Sequence, residues 1–91
     1  MNKEELVRTI AIKTAISQKE VSEILNALIE SIVETVASGE KIVLVGFGTF
    51  EPRERKERQG RNPQTGAPIL IPATRVPAFS AGKLFKDKVA E

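Results

Sequence analysis

The first 40 residues carry apolar side chains at the spacing of α-helices. After Ser17, eight aliphatic residues recur at alternating steps of three and one, which places them on one broad helical face: Val21, Ile24, Leu25, Leu28, Ile29, Ile32, Val33 and Val36. A shorter apolar pattern runs from Leu6 to Ala11. Asn2 and Ser17 each precede a glutamate by three residues, a spacing that caps a helix start. The pattern predicts two helices, the second ending at Gly39.

The width of this apolar face bears on assembly. A short first helix cannot cover eight aliphatic side chains on a helix about 30 Å long, so the remainder must meet a sheet or a second copy of the chain. We expect both, because a chain of 91 residues buries only a small core and a symmetric dimer would enlarge it. A monomer whose own sheet covers the face is the alternative.

After Gly39 the helical period gives way to strand signals. Residues 41–45 are rich in β-branched side chains, and a second strand resumes at Thr49 after the glycine turn Gly46–Gly48. Pro52 lies in this second strand and has no N–H to donate. We therefore expect the outer edge of the strand to be unpaired at that point.

The next segment predicts a long β-ribbon. Residues 60–66 place turn formers on both sides of Pro63, and Asn followed by Pro suits a type I turn. The limbs would be about 53–61 and 67–75, and at about 3.3 Å per residue they reach about 26 Å beyond the body. A lone two-stranded ribbon is marginally stable in water, so we expect a mobile arm that becomes ordered on binding, with Ile69–Ile71 partly exposed.

The C-terminal residues predict a return to the body of the protein. We expect Ser80 to cap a short helix over 83–91 that packs Leu84, Phe85 and Val89 inward. The four phenylalanines could stack on unpaired bases, but core packing is the stronger expectation for all of them: Phe47, Phe50, Phe79 and Phe85.

The composition removes most of the side chains used in catalysis. The chain contains no His, Cys, Trp or Tyr, which leaves no disulfide, no Cys/His zinc site, no thiol nucleophile and no histidine base. We therefore expect no enzyme, no cofactor, no metal and no small-molecule substrate. No apolar run approaches the about 18 residues of a membrane span, and the N-terminus lacks the apolar core of a signal peptide, so no membrane partner or export is predicted.

The net charge of +2 conceals an uneven distribution. Residues 1–40 carry four basic and seven acidic residues, a net charge of −3, whereas residues 41–91 carry ten and five, a net charge of +5. Six bases lie between Arg53 and Arg75, with only Glu54 and Glu57 among them as expected pair partners. Positive charge concentrated on one element is the electrostatic footprint of a phosphate backbone, although a solvated basic hairpin accounts for the charge equally well.

Motifs along the whole chain carry one further pattern. They are Gly46-Phe47-Gly48-Thr49-Phe50, Arg55, Arg58 and Gly60-Arg61-Asn62-Pro63-Gln64-Thr65-Gly66, together with Met1-Asn2-Lys3, Ser17-Gln18-Lys19 and the ending from Val76 to Lys83. These motifs resemble the signature of the bacterial histone-like DNA-binding proteins, the HU and integration host factor family. The resemblance covers essentially all 91 residues.

The resemblance implies the fold and the assembly. It implies one α+β domain, with a two-helix N-terminal hairpin for dimerisation (1–40), a three-stranded antiparallel sheet (41–82) extended into a long β-ribbon arm (about 53–75), and a short C-terminal helix (83–91). Two chains would form an intertwined homodimer. The apolar residues assigned to the dimer core are Leu25, Leu28, Ile29, Ile32, Val36, Leu44, Phe47, Phe50 and Phe79.

The resemblance also implies a nucleoid-associated protein that binds duplex DNA with low sequence specificity. Two arms would wrap the minor groove, and Pro63 would insert between base pairs and bend the duplex, which condenses or stabilises chromosomal DNA. Bent, nicked or gapped DNA would be preferred, because part of its deformation energy is already spent. The residues expected to contact DNA are Lys3, Arg53, Arg55, Lys56, Arg58, Arg61, Asn62, Pro63, Gln64, Thr65, Arg75, Lys83 and Lys86.

Two other functions remain open at this point. One is a sequence-specific DNA-bending factor like integration host factor, and the other is a dimeric basic module that binds RNA or an acidic protein. The expected location is the cytoplasm, in a bacterial nucleoid, with a plastid nucleoid as the other possibility.

Overall fold

A computed structural model describes residues 1–91, which form three α-helices and five β-strands. In chain order these are α1 (Lys3–Thr14), α2 (Gln18–Ala37), β1 (Ile42–Leu44), β2 (Gly48–Arg55), β3 (Arg58–Arg61), β4 (Pro68–Ile71), β5 (Thr74–Ala81) and α3 (Lys83–Ala90). The chain divides into two compact units, Met1–Glu34 and Thr35–Glu91. The predicted α+β class is confirmed. None of the helices is both long and apolar enough to cross a membrane.

Both predicted helix starts are confirmed by their caps. The Oδ1 atom of Asn2 accepts a hydrogen bond of 2.9 Å from the N–H of Glu5, and the Oγ atom of Ser17 accepts one of 3.2 Å from the N–H of Glu20. These caps satisfy N–H groups that have no partner within the helix. Ala15, with φ of 55°, adopts the left-handed conformation that ends α1.

The core of the helical unit is small. Its buried side chains and those packed against them come from both helices: Val7, Ala11, Val21, Ile10 and Leu25. Several aliphatic side chains on the broad face of α2 remain at least 44% exposed: Ile24, Leu28, Ile29 and Val33. Within this unit α1 therefore covers only part of the apolar face, as the width of the face predicted.

The predicted glycine stop of α2 is confirmed. The N–H of Glu40 donates to the carbonyl of Thr35 at 3.2 Å, and the N–H of Gly39 donates to the carbonyl of Val36 at 3.0 Å. This pair of hydrogen bonds closes a helix when the chain turns in the left-handed region. Gly39 has φ of 97°, which glycine adopts without steric strain.

The second unit contains a three-stranded antiparallel sheet with the strand order β1-β2-β5. β1 pairs only with the first residues of β2, whereas β2 pairs with β5 along its full length. The predicted turn between β1 and β2 is present, with the N–H of Phe47 donating to the carbonyl of Leu44 at 3.0 Å and Gly46 at φ of 85°. β1 is shorter than the predicted strand 41–45 because Val45 already belongs to this turn.

Two prolines, Pro52 and Pro77, face each other across β2 and β5. Since neither has an N–H, they fit a position of the antiparallel ladder where opposite residues exchange no hydrogen bonds. Each ring nitrogen then points toward the outer edge of its own strand. β5 is an edge strand, and β1 reaches no further than Phe50 along β2, so both outer edges are unpaired. The predicted free edge at Pro52 is confirmed.

The four phenylalanines contact one another. The ring centroids lie 5.2 Å apart for Phe47 and Phe85, 5.4 Å for Phe47 and Phe79, and 4.8 Å for Phe50 and Phe79. This packing agrees with the core role predicted for them. Phe47 and Phe79 are nevertheless 47% and 40% exposed, so the cluster is open on one side in the single chain.

One prediction for the C-terminal residues is wrong, and another holds for one of three side chains. Ser80 belongs to β5, and Gly82 is the N-cap residue of α3 without a side-chain hydrogen bond. The reason is that pairing with β2 continues to Ala81 and keeps Ser80 in the ladder. Of the three apolar side chains of α3, Phe85 packs on Phe47 as predicted, whereas Leu84 and Val89 are 71% and 72% exposed in the single chain.

Gly82, which precedes α3, lies against the backbone of the turn between β1 and β2, and this contact can be tested. A Cβ atom on Gly82 would lie 2.7 Å from the carbonyl oxygen of Gly46 and 3.1 Å from the carbonyl carbon of Phe47. Because these are backbone atoms that cannot swing away, we expect Gly82→Ala to lower the free energy of unfolding by about 2 kcal/mol, measured by urea denaturation. Gly60→Ala is the control, because a Cβ there meets mainly the flexible end of Ile71. Wild-type stability of Gly82→Ala would contradict the described contact.

Candidate nucleic-acid interface

The predicted β-ribbon arm, residues 53–75, is present but divided into two segments. β2 and β5 pair as far as Arg55 and Thr74, and β3 with β4 forms a separate two-stranded sheet. Residues 56–57 and 72–73 lie between the two ladders. The offset between partner residues is the same on both sides, so the interruption inserts no residue into either limb. Pro72 accounts for part of the interruption because it has no N–H for the ladder.

The tip of the arm is closed by its own polar groups. The N–H of Gly66 donates to the carbonyl of Asn62 at 2.7 Å, and the N–H of Asn62 donates to the carbonyl of Ala67 at 2.8 Å. The side chains of Asn62 and Thr65 accept hydrogen bonds from the N–H groups of Gln64 and Ala67 at 2.8 and 3.2 Å. The closing bond spans four residues, which corrects the three-residue span expected of a type I turn.

This turn presents Pro63 to solvent. Pro63, Gln64 and Thr65 are exposed, and Asn62 is half-buried. The side-chain hydrogen bonds of the turn hold the backbone on both sides of the proline ring. The tip therefore offers a fixed apolar ring, with the exposed base Arg61 at the end of the adjoining strand.

Most of the predicted basic contacts on the arm are free. Several basic residues of the second unit that are predicted to contact DNA are exposed and make no ion pair and no side-chain hydrogen bond. On the arm these are Arg55, Lys56, Arg58 and Arg61, and on α3 the residue is Lys86. The expected pairing of Glu54 and Glu57 with arm bases is wrong, because the ion pair near the arm joins Arg53 to Glu51. Residues two apart on a strand point to the same face, which brings this pair together.

Two predicted contacts have partners on the body of the second unit. The Nη2 atom of Arg53 donates to the Oγ atom of Ser80 at 3.0 Å and to a carboxylate oxygen of Glu51 at 3.4 Å. The Nζ atom of Lys83 donates to the Oδ2 atom of Asp87 at 2.7 Å. The side chains of Arg53 and Lys83 are 56% and 86% exposed, so water screens both pairs and a phosphate could still reach either base.

The remaining two predicted contacts differ from the rest. Arg75 directs its Nη2 atom to the carbonyl of Ala37, the last residue of α2, at 3.1 Å. Lys3 belongs to the helical unit, where it is exposed in the first turn of α1. The structure thus brings together the bases of residues 53–61 and the tip, and it engages Arg75 elsewhere.

The residues predicted for a dimer core form no closed core in the single chain. Val36 is buried, and Leu25, Ile32 and Phe50 are half-buried. The others are between 39% and 48% exposed: Leu28, Ile29, Leu44, Phe47 and Phe79. Large apolar side chains left open in this number are typical of a surface that is covered on assembly.

Several partners of the predicted residues were missed from the sequence. The pairing of Lys83 with Asp87 follows from their i, i+4 spacing on a helix and could have been found. The contacts of Arg53 with Ser80 and of Arg75 with Ala37 join residues 27 and 38 positions apart, for which no local pattern exists. No group of three or more Asp or Glu side chains is placed to hold a metal ion.

A helical hairpin, a three-stranded sheet and a basic arm define a class of small DNA-binding proteins, and comparison with known proteins identifies the family. The family model described as "Bacterial DNA-binding protein" matches residues 1–90. DNA-binding protein HU of a Synechocystis strain is 60% identical over 96 residues, covering 99% of this chain and 96% of the relative. DNA-binding protein HU of Clostridium pasteurianum is 57% identical over 89 residues, covering 98% of each.

Solved structures agree with this result. HU from Anabaena, in a cocrystal with DNA, superposes with a TM-score of 0.94 at 59% identity and covers 99% of this chain and 98% of that one. HU from Thermotoga maritima has a TM-score of 0.71 at 36% identity and covers 98% of each chain. The chain belongs to the family of bacterial DNA-binding proteins that includes HU, and the family predicted from the sequence motifs is confirmed.

Proposed function

We propose that the protein is a nucleoid-associated architectural protein that binds duplex DNA with low sequence specificity, bends it, and condenses or stabilises chromosomal DNA. The observation that carries the proposal is the composition of the arm. Four exposed bases without ion-pair partners, Arg55, Lys56, Arg58 and Arg61, precede the exposed Pro63 at the tip. The family and the DNA-bound structure of Anabaena HU support it. The proposed location is the bacterial nucleoid.

The charge of the arm accounts for affinity without sequence preference. Lys and Arg side chains that neutralise phosphates release condensed counterions, which favours binding to any duplex. Contacts with phosphates fix the position of a protein but carry no base information, and the minor groove presents a degenerate pattern to the arm. Guanidinium groups suit this role because their rigid fork of donors can hold two phosphate oxygens at once.

The tip of the arm accounts for bending. Pro63 has an apolar ring and no N–H that would lose its water on insertion between base pairs. Insertion costs about a few kcal/mol for unstacking and kinks the duplex, which lets the bent DNA meet more of the protein surface. DNA that is already bent, nicked or gapped requires less of this deformation energy, so we infer that the protein prefers it.

A homodimer is part of the proposal. Large apolar side chains at the surface of the single chain include Leu28 and Ile29 on α2 and Phe47 and Phe79 in the aromatic cluster. A second copy that intertwines with the first would cover these side chains and add to a core that a chain of 91 residues cannot complete alone. The dimer also provides two arms, and two inserted prolines produce two kinks in one duplex.

The electrostatic part of the proposal predicts a steep dependence on salt. Two arms with four free bases each give a slope of the logarithm of the binding constant against the logarithm of salt concentration of about −7 if every base contacts a phosphate. Fluorescence anisotropy with a labelled duplex between about 50 and 200 mM salt measures it. Several duplexes of unrelated sequence should give the same curve.

Results of this titration and of two companion binding experiments could contradict the proposal. A slope near zero would exclude the phosphate contacts. Preference for one sequence selected from random duplexes would indicate a sequence-specific bending factor. Tighter binding to RNA or to an acidic protein under the same salt conditions would favour the basic interaction module.

The role of Pro63 is tested separately from affinity. Pro63→Ala should reduce the bend angle, measured by FRET between the ends of a short duplex, more than it weakens binding, because the phosphate contacts remain. Gln64→Ala is the matched comparison, since Gln64 is exposed beside Pro63, is also expected to contact DNA, and has no ring that could insert between base pairs. Equal bend angles for Pro63→Ala and the wild type would exclude insertion of the proline.

The dimer is tested by placing a charge on the proposed interface. Ile29→Glu should abolish the dimer and much of the folded structure, because an unpaired carboxylate cannot be buried without a large cost. Ile12→Glu is the control, because Ile12 is 79% exposed and lies outside the predicted dimer core, whereas Ile29 is 44% exposed. Sedimentation equilibrium and circular dichroism supply the readout. A dimeric, folded Ile29→Glu variant would refute this interface.

A further inference from the structure

At the C-terminal end of α2, the carbonyl of Ala37 accepts its hydrogen bond from a residue outside the helix. The carbonyl of Thr35 accepts hydrogen bonds from the N–H groups of Ser38 and Glu40, and that of Val36 accepts from the N–H of Gly39. The carbonyl of Ala37 accepts instead from the Nη2 atom of Arg75, 38 residues further along the chain, at 3.1 Å. Arg75 therefore completes the end of the helix, where carbonyls otherwise lack protein donors.

The partial charge at the C-terminal end of α2 also favours the contact with Arg75. The last turn of α2 contains no basic residue, although the C-terminal end of a helix carries a partial negative charge that a cation stabilises. The guanidinium of Arg75 lies over this end, and a Cβ atom on Gly39 would be 3.4 Å from its Nη1 atom. That distance is an ordinary van der Waals contact, so the guanidinium packs against the residue that ends the helix, and the left-handed φ of 97° is what requires glycine there.

The position of Arg75 along the chain links this contact to the arm. Arg75 is the second residue of β5, and the interruption at 72–73 comes directly before that strand. Across the sheet it faces Glu54, the last residue but one of β2. The bond to Ala37 is thus made near the end of the β2–β5 ladder, next to the interruption that separates it from the outer part of the arm.

We propose that Arg75 is a positioning residue, which clamps the root of the arm to the end of α2 and so fixes the direction in which the arm leaves the body. This inference rests on the proposed function and replaces the role in DNA contact that the sequence suggested for Arg75. A guanidinium that moved to a phosphate would leave the Ala37 carbonyl without its donor and the helix end without its cation. Without the clamp, the end of the β2–β5 ladder would be free to change its angle to the end of α2, so the arm would sample more directions and more order would have to be gained on binding.

Arg75→Gln and Arg55→Gln form a matched pair of variants, because each removes one positive charge per chain at the same end of the sheet. Loss of a phosphate contact from both arms makes the salt slope shallower by about 1.8, which we expect for Arg55→Gln. For Arg75→Gln we expect an unchanged salt slope and a broader distribution of bend angles by single-molecule FRET. A slope reduced by Arg75→Gln as much as by Arg55→Gln would overturn the proposal.

Hydrogen exchange of the protein without DNA tests the clamp independently of binding. The amides of Ser38, Gly39 and Glu40 should exchange roughly twofold to fivefold faster in Arg75→Gln, as expected for loss of a cation at a helix end, and at the wild-type rate in Arg55→Gln. Arg75→Lys should restore part of the protection, because an ammonium group can donate to the same carbonyl. Unchanged exchange in Arg75→Gln would refute the clamp. If the wild type showed no salt-dependent DNA binding, the proposed function would fail while the exchange experiment still decided the role of Arg75.

Discussion

The apolar surface that one chain leaves uncovered is the constraint on which the rest of the structure depends. Only four hydrophobic side chains are buried in the single chain, namely Val7, Ala11, Val21 and Val36, while large aliphatic and aromatic residues on α2, the sheet and α3 remain open to solvent. Burial of apolar area is the main favourable contribution to folding, so a chain in this state is marginal alone. Completion of the core by a second copy would make folding and the pairing of two arms one event. Stability and function then depend on the same surface.

Local signals predicted the elements that depend on near neighbours. The caps of Asn2 and Ser17, the stop at Gly39, the glycine turn before β2 and the hairpin tip each involve residues a few positions apart, and the structure contains all of them. Two of the failures concern contacts between distant residues, and a third concerns close neighbours on one strand. Ser80 suited a helix cap by its type, but pairing with β2 held it in a strand. Glu54 and Glu57 were expected to pair with the arm bases because they are close in sequence. Arg53 pairs with Glu51 instead, because residues two apart on a strand point to the same face. The hydrogen bond from Arg75 to the Ala37 carbonyl joins residues 38 positions apart, so no local sequence pattern predicts it.

The placement of acids divides the basic residues into two kinds. Those on the body of the second unit, such as Arg53 and Lys83, form ion pairs with Glu51 and Asp87, whereas those along the arm form none, although Glu54 and Glu57 lie among them. A base that must leave a carboxylate before meeting a phosphate gains less on binding than a free one, because part of the new interaction replaces an old one. The gain in free energy is therefore weighted toward the arm. First contact would be made there, and the bases on the body of the second unit, such as Arg53 and Lys83, would engage as the duplex bends toward them.

The prolines of the sheet and arm have one more effect. A two-stranded ribbon exposes the N–H and C=O groups of both its edges, which is the surface that lets strands of different molecules join into fibres. Pro52 and Pro77 remove donors from the two outer edges at the base of the arm, and Pro72 removes one from the segment before β5. Under the proposed function, many copies of the protein would lie side by side on one duplex, where exposed ribbon edges of neighbouring arms could meet. The rings of Pro52, Pro72 and Pro77 would make each arm a poor template for its neighbour and so oppose aggregation of arms that are crowded along DNA.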